Sequence, residues 1–397
     1  MHHDFQRLMR EATALTRSGN LSAATAAIQQ ALGQTIPQGD ATPRSAASQA
    51  ADAPGAHAGI VLDGLTRIVE DADVVERAPK EQAANPASAS ATQAKAAPSA
   101  PPSGDLWLDG SYTHQGRTLD YKLFVPGSSA AAAPVIPRPL IVMLHGCTQG
   151  AADFATGTQM NALAREQGAL VLYPEQSARA NPQKCWNWFK PQHQARGRGE
   201  PAVIAALTQS IIDTYHVDAA RVYVAGLSAG GAMAAILGHE YPELYAAVGV
   251  HSGLPHGAAT DVMSALSAMR SGGAANGVGA TAYTPPTIVF HGDADPTVHV
   301  SNGQAVVSAA CQSAANGTPL STATSQGRSE QGQGFTRTVY ANAAGHGVAE
   351  YWQLHGAGHA WSGGGALGTY TNPKGVDASA EMLRFFMAHQ APSSSTP

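Results

Sequence analysis

The sequence predicts an α/β fold, a mostly parallel sheet with helices on both faces, preceded by a helical hairpin and a disordered linker. Three observations carry that prediction. From Asp105 onward, short apolar runs alternate with longer stretches of helical periodicity, the pattern of parallel strands joined by crossover helices. The run Val222-Tyr223-Val224-Ala225 passes directly into Gly226-Leu227-Ser228-Ala229-Gly230 and then a helix of small residues. From about Pro37 to Gly104 the chain is rich in Ala, Pro, Ser, Gln and Asp, a linker composition.

In chain order, residues 1–35 read as a helical hairpin. Phe5, Leu8, Met9, Ala12 and Leu15 recur at helical spacing, Ser18-Gly19-Asn20 breaks the series, and Leu21, Ala24, Ile28 and Leu32 resume it. Residues 36–104 form the linker, with one amphipathic interruption at 60–75 carrying Ile60, Leu62, Leu65, Ile68 and Val69, a short helix suited to docking. The main domain spans 105–390. Tyr112 and Leu119–Pro126 open it as an antiparallel pair, followed by strands at Leu140–Leu144, Leu170–Tyr173, Val222–Ala225, Ala247–His251, Thr287–His291 and Val348–Leu354. Helices are expected at Met160–Gln167, Pro201–Tyr215, from Gly230 to Tyr241, and at Ala378–His389. The Gly/Ser/Gln-rich stretch Ser313–Gly334 reads as a surface loop, and 391–397 as a disordered tail.

Composition excludes several function classes. A net charge of −5 with 23 Lys+Arg against 28 Asp+Glu, and no dense basic stripe, leaves no field to neutralise phosphates, so nucleic acid is not an expected partner. No apolar run approaches the ~18 residues of a membrane span, and a soluble protein is expected. Asp4, Arg7, Arg10, Glu11 and Arg17 interrupt the N-terminus before any signal-peptide core, so the expected location is cytoplasmic, or extracellular if the true start differs. Three cysteines, Cys147, Cys185 and Cys311, are too few for a disulfide scaffold and lack metal-ligand spacing, although one pair can bond in a permissive compartment.

The chemistry concentrates in the Gly-x-Ser-x-Gly segment. Its glycines permit the strained strand-to-helix turn that lifts Ser228 over the sheet, and the following helix N-terminus favours developing negative charge. A serine hydroxyl needs a base, and the base a group to hold its tautomer, in the chain order Ser, acid, His. After the strand ending at His291 comes Gly292-Asp293-Ala294-Asp295-Pro296-Thr297-Val298, and after the strand ending at Leu354 comes Gly356-Ala357-Gly358-His359. Asp295 is favoured over Asp293, because the Pro-Thr-Val that follows starts a new helix or turn and points the preceding side chain inward; Asp293 then serves as a turn former. Among sixteen histidines, His359 is favoured over His355 and His346 by its glycine-flanked position after the last strand. An oxyanion needs two fixed N–H groups. Ala229 supplies one, and Cys147, with Thr148 as the runner-up, supplies the other from Leu144-His145-Gly146-Cys147-Thr148-Gln149.

These residues, with Tyr173-Pro174-Glu175-Gln176, Cys185-Trp186-Asn187-Trp188-Phe189 and Gly358-His359-Ala360-Trp361, resemble the short-chain polyhydroxyalkanoate (polyhydroxybutyrate, PHB) depolymerases and their esterase relatives in the α/β-hydrolase superfamily. The resemblance runs from Asp105 to His389. It implies an α/β-hydrolase catalytic domain, a Ser228–Asp295–His359 triad, an oxyanion hole of Ala229 and Cys147, and a Cys147–Cys185 disulfide. It also implies that Trp186, Trp188 and Trp361 wall an acyl chain, the alternative being that they are core aromatics. The function then expected is a serine esterase acting on 3-hydroxyalkanoate polyesters or their oligomers, with the PHB granule surface as a partner and neither metal nor organic cofactor. Feruloyl and acetyl-xylan esterases share the core motifs and form the alternative substrate class, as does a general short-chain carboxylesterase. A granule-associated protein without catalysis is the alternative of another kind.

Overall fold

A computed structural model of the chain describes residues 104–127, 136–273, 283–315 and 318–391. The expected hairpin at 1–35, the linker helix at 60–75 and the tail after residue 391 lie outside the described residues.

The first ten strands form one sheet: β1 (Leu106–His114), β2 (Arg117–Val125), β3 (Arg138–Leu144), β4 (Leu170–Glu175), β5 (Val217–Leu227), β6 (Ala247–His251), β7 (Thr287–Gly292), β8 (Ser321–Arg328), β9 (Gly334–Ala341) and β10 (Gly347–Leu354). Their order is β1-β2-β4-β3-β5-β6-β7-β10-β9-β8. The six central strands, β4 to β10 in that order, run parallel, and antiparallel pairs flank them on both sides. Two short strands, β11 (Trp361–Ser362) and β12 (Thr371–Asn372), pair separately. The α-helices are α1 (Ala151–Thr158), α2 (Met160–Glu166), α3 (Gly199–Tyr215), α4 (Ala229–Glu240), α5 (Val262–Ser271), α6 (Ser301–Ala315) and α7 (Ala378–Met387). Among the described residues no helix is long and apolar enough to cross a membrane.

Burial explains the strand sequences. Every residue of β6 and β7 is buried, as continuous apolar runs must be when helices cover both sheet faces. Along β3, Leu140, Val142 and Leu144 join one core cluster with residues of α3 and α4, while Ile141 and Met143 join another with residues of α7. The period of two sorts side chains to the two faces. At the sheet margin, β1 alternates half-buried and exposed residues.

The expected surface loop at Ser313–Gly334 is corrected. Helix α6 extends to Ala315, and Ser321–Arg328 forms edge strand β8 on β9. Its sequence, STATSQGR, is exposed almost throughout, so no apolar alternation marks it; the partner's backbone hydrogen bonds hold it.

Register decides where chemistry falls. Leu144 pairs with Gly226, Leu227 with His251, His251 with Phe290, and Leu354 with Gly292. The loops after β3, β5, β7 and β10 therefore leave the same edge of the sheet, the carboxyl edge where ligands bind in such folds.

Candidate active site

Ser228 occupies the turn between β5 and α4 with φ 57° and ψ −118°, a left-handed backbone that a non-glycine residue adopts only under constraint from its surroundings. Two bonds impose it: Ser228 N–H donates to His251 O at 2.8 Å, and Ser228 O accepts from Ala232 N–H at 2.9 Å. The flanking glycines are required by close approach. A Cβ on Gly226 would fall 2.4 Å from the Gly230 carbonyl carbon, and one on Gly230 would fall 2.1 Å from Leu144 O. Their absence lets the loop after β3 lie directly against the first turn of α4.

That contact sets the loop that carries Cys147 beside the turn that carries Ala229. Thr148 is eliminated as a donor, because its N–H already bonds Gln183 O at 2.6 Å. Cys147, the preferred residue, is bonded to Cys185, which fastens the β3 loop to the segment 185–189. Gly146 N–H donates to Gln149 Oε1 at 2.9 Å, and Gln149 Nε2 donates to Thr369 O at 3.0 Å, fixing the turn that carries Cys147. Beneath it, buried Glu200 accepts from Asn187 N at 2.7 Å and from Asn187 Nδ2 and Gln176 Nε2 at 2.6 Å each. Burial pushes the Glu200 carboxyl upward, but the His193 and Asn187 hydrogen bonds outweigh it and hold the group below its ordinary value.

Asp295 and His359 meet from the loops after β7 and β10. His359 Nδ1 lies 2.7 Å from Asp295 Oδ2, with the Asp295 side chain fully buried and His359 11% exposed. Asp295 Oδ1 accepts the N–H groups of Thr297 at 2.8 Å and Val298 at 2.9 Å. Burial raises the Asp295 pKa, yet hydrogen bonding and charge from His359 and the Val298 N–H prevail, and the carboxyl stays ionised below its usual range. The Pro-Thr-Val that follows thus supplies the donors that turn Asp295 inward. Ser228 Oγ carries no hydrogen bond among the described residues, an open arrangement common before substrate binds.

Asp293 has more to do than form a turn. Its Oδ2 lies 2.9 Å from His355 Nδ1, and its Oδ1 accepts Gly356 N–H at 2.7 Å. His355, the rejected base candidate, thereby joins the same two loops that Asp295 and His359 join. His346 sits in the β9–β10 turn, where its N–H bonds Asn342 Oδ1.

Of the two readings of the tryptophans, the structure gives the core. Trp186 and Trp361 are 0% and 1% exposed. Trp186 Nε1 donates to His145 O at 3.1 Å, and Trp361 Nε1 to Ser379 Oγ at 3.0 Å with its ring edge-on to Phe154. Trp188 is 6% exposed and packs edge-on against Phe189. Side chains so enclosed offer an acyl chain no wall. A cavity of about 790 Å³, lined in part by Arg328, Gln333, His355, Gly358 and Lys374, instead borders the loop that carries His359.

Sequence reasoning passed over His251. It is fully buried, its Nε2 accepts Ser362 N–H at 3.0 Å, and its carbonyl holds Ser228 N–H. Burial, with charge from His291 and His359, pushes its pKa down to about 3, so it is a neutral acceptor linking the Ser228 turn to the segment after His359. No motif or spacing in the sequence marks it, because both of its contacts are with residues distant in the chain.

A strained serine at a strand-to-helix turn, on the same sheet edge as a His–Asp pair carried by the loops after later parallel strands, is the layout of the α/β hydrolases. An acetyl xylan esterase from Aspergillus awamori shares the fold with a TM-score of 0.51 and 18% identity, covering 68% of this chain and 94% of that one. A family model described as Esterase PHB depolymerase matches residues 119–327, and the chain belongs to that family. Poly(3-hydroxyalkanoate) depolymerase C of Paucimonas lemoignei is 33% identical over 260 residues, 62% of this chain and 59% of that protein. Feruloyl esterase B of Neurospora crassa is 30% identical over 177 residues, 40% of this chain and 60% of that protein. The chain thus spans about three fifths of the length of these relatives.

Proposed function

We propose that the protein is a serine esterase that hydrolyses poly(3-hydroxybutyrate)-type polyesters or their oligomers through an acyl-enzyme. The observation that carries the proposal is the 2.7 Å contact between Asp295 and His359, set on the same sheet edge as the strained Ser228 turn. Asp295 accepts the Nδ1 proton and leaves Nε2 free as a base. His359 takes the Ser228 proton as Oγ attacks the ester carbonyl, and the N–H groups of Ala229 and Cys147 hold the oxyanion. Collapse expels the hydroxyalkanoate alcohol with the proton from His359. A water deprotonated by His359 then releases the acid and restores Ser228. The roles of these residues rest on geometry and on the resemblance of their motifs.

The polyester substrate is favoured by the family model and by the depolymerase relative. Removal of acetyl or feruloyl groups from polysaccharide is the second reading, supported by the feruloyl esterase relative. Association with the granule surface belongs to the first reading. The compartment is part of the proposal too: a cytoplasmic protein is expected to carry Cys147 and Cys185 as thiols, an exported one as the disulfide, and thiol titration of freshly isolated protein separates them.

The test compares amorphous polyhydroxybutyrate granules, p-nitrophenyl butyrate and acetylated xylan as substrates for the full chain. Granule clearing at a rate well above xylan deacetylation is the expected result. Activity confined to xylan, or to small esters, would transfer the function to a carbohydrate or general esterase.

A further inference from the structure

The cavity of about 790 Å³ beside the His359 loop carries a charge that a neutral ester bond does not call for. Arg328 and Lys374 line it, with Gln331, Gln333, Asn372 and His355 as its other polar side chains, and no carboxylate does. Neither cation has a salt-bridge partner among the described residues. Arg328 Nη1 donates to Gly332 O at 2.8 Å, which holds the guanidinium over its own turn and leaves Nε and Nη2 without a protein acceptor. Both nitrogens of His355 are engaged, Nδ1 with Asp293 and Nε2 with Thr336 Oγ1, each at 2.9 Å. Asp293 and Glu330, the acids next to these residues in space or in the chain, lie outside the lining.

The walls are fixed to one another. Arg328 pairs with Gly334, and Phe335 with Leu354, so the β8–β9 turn stands at the same carboxyl edge from which the His359 loop leaves. His355 N–H donates to Gly334 O at 2.9 Å. Ser329 Oγ donates to Lys374 O at 2.6 Å, and Asn372 Nδ2 to Gln333 Oε1 at 2.9 Å. Three segments distant in the chain thus form one rim, and the two cations are presented on a bonded frame. The volume lies within the range of small-molecule sites.

The position relative to His359 says which part of a substrate the cavity receives. His359 Nδ1 faces Asp295, so Nε2 is the atom that returns a proton to the leaving alcohol oxygen as the acyl C–O bond breaks. The alcohol half of the substrate therefore lies on the histidine side, where Gly356 and Gly358 form a wall of the cavity. In a hydroxyalkanoate chain the acyl half keeps the hydroxyl end, and the alcohol half runs on to the free carboxyl end. We propose that Arg328 and Lys374 bind the terminal carboxylate of the leaving hydroxyalkanoate segment, so that the enzyme favours oligomers with a free acid end. The proposal rests on the polyester reading of the site. A carboxylate matches the forked guanidinium and the ammonium alike. The interior of a polymer carries no such group, so each cut creates an acid end that is a better substrate for the next.

The experiment measures kcat/KM of the full chain on the linear trimer of 3-hydroxybutyrate as the free acid and as its methyl ester, with p-nitrophenyl butyrate beside them. Both trimers are then given to Arg328→Gln, Lys374→Gln and the double variant. The wild type is expected to favour the free acid by about fivefold or more at low salt, the combined effect of two exposed charge contacts. That advantage should shrink at about 0.5 M salt and vanish in the double variant. Equal rates on the two trimers in the wild type overturn the subsite and leave the polyester reading standing, a result that does not depend on whether the variants fold. An acid preference that the double variant retains overturns it as well. Turnover of p-nitrophenyl butyrate with neither trimer cleaved overturns both the subsite and the polyester reading.

Discussion

His355 Nδ1 lies 2.9 Å from Asp293 Oδ2, beside the 2.7 Å contact of His359 Nδ1 with Asp295 Oδ2, so two carboxylate–imidazole pairs bridge the same two loops. They differ in burial. The Asp293 and His355 side chains are 29% and 42% exposed, those of Asp295 and His359 0% and 11%. Only the enclosed pair can hold one tautomer against exchange with water, and an exposed pair contributes little. Asp295→Asn is therefore expected to lower kcat on p-nitrophenyl butyrate by about 10⁴-fold, and Asp293→Asn by no more than about tenfold. Equal losses in the two variants would mean that the acid has been misassigned.

The fully buried His251 makes the fold sensitive to acid. Burial, then the charges of His291 and His359, depress its pKa to about 3 from 6.5. Between those values the unfolded chain binds the proton and the folded chain does not. Stability is thus complete above about pH 6.5 and declines as pH falls toward 3, by up to about 1.4 kcal/mol per pH unit from this group alone. Urea unfolding at pH 7, 5 and 4 measures the slope. His251→Gln, which keeps an acceptor for Ser362 N–H, is expected to flatten it; an unchanged slope would assign the acid sensitivity elsewhere.

Gly230 stands where any side chain would strike backbone, 2.1 Å from Leu144 O. Gly230→Ala has to move either the β3 loop or the first turn of α4, the two sources of the proposed oxyanion donors. A stability loss of about 1–3 kcal/mol is expected, together with a fall in kcat that exceeds any rise in KM. Wild-type kinetics in this variant would remove the close approach from the account.

The Cys147–Cys185 bond closes a loop with a sequence separation of 38 residues, which in the chain-entropy description stabilises by about 4 kcal/mol. Replacing both cysteines with serine should lower the unfolding temperature and loosen the turn that presents Cys147 N–H, so kcat should fall as well. Unfolding of the oxidised and the dithiothreitol-treated protein checks the first effect without mutation.

Much of this arrangement is legible in the sequence, and the limits follow from where information resides. Residues at strand ends announce themselves: the apolar runs of β5, β7 and β10 each stop at a glycine-rich loop bearing Ser228, Asp295 or His359. Side-chain direction at buried aromatics is not written in spacing. Trp186 and Trp361 stand next to motif residues yet point into the core, because their indole N–H groups find His145 O and Ser379 Oγ there. The edge strand β8 escaped notice because a polar strand with solvent around it needs no alternation. His251 escaped because its importance lies in a carbonyl and a ring nitrogen that meet residues distant in the chain, Ser362 among them.

The most direct test of the account is to label the full chain with diethyl p-nitrophenyl phosphate, a reagent that phosphorylates an activated serine, and to locate the adduct by peptide mapping in the mass spectrometer. A single adduct on Ser228, abolished by Ser228→Ala and slowed by His359→Ala, is the predicted result. An adduct on another residue, or esterase turnover that persists in Ser228→Ala, would contradict the mechanism.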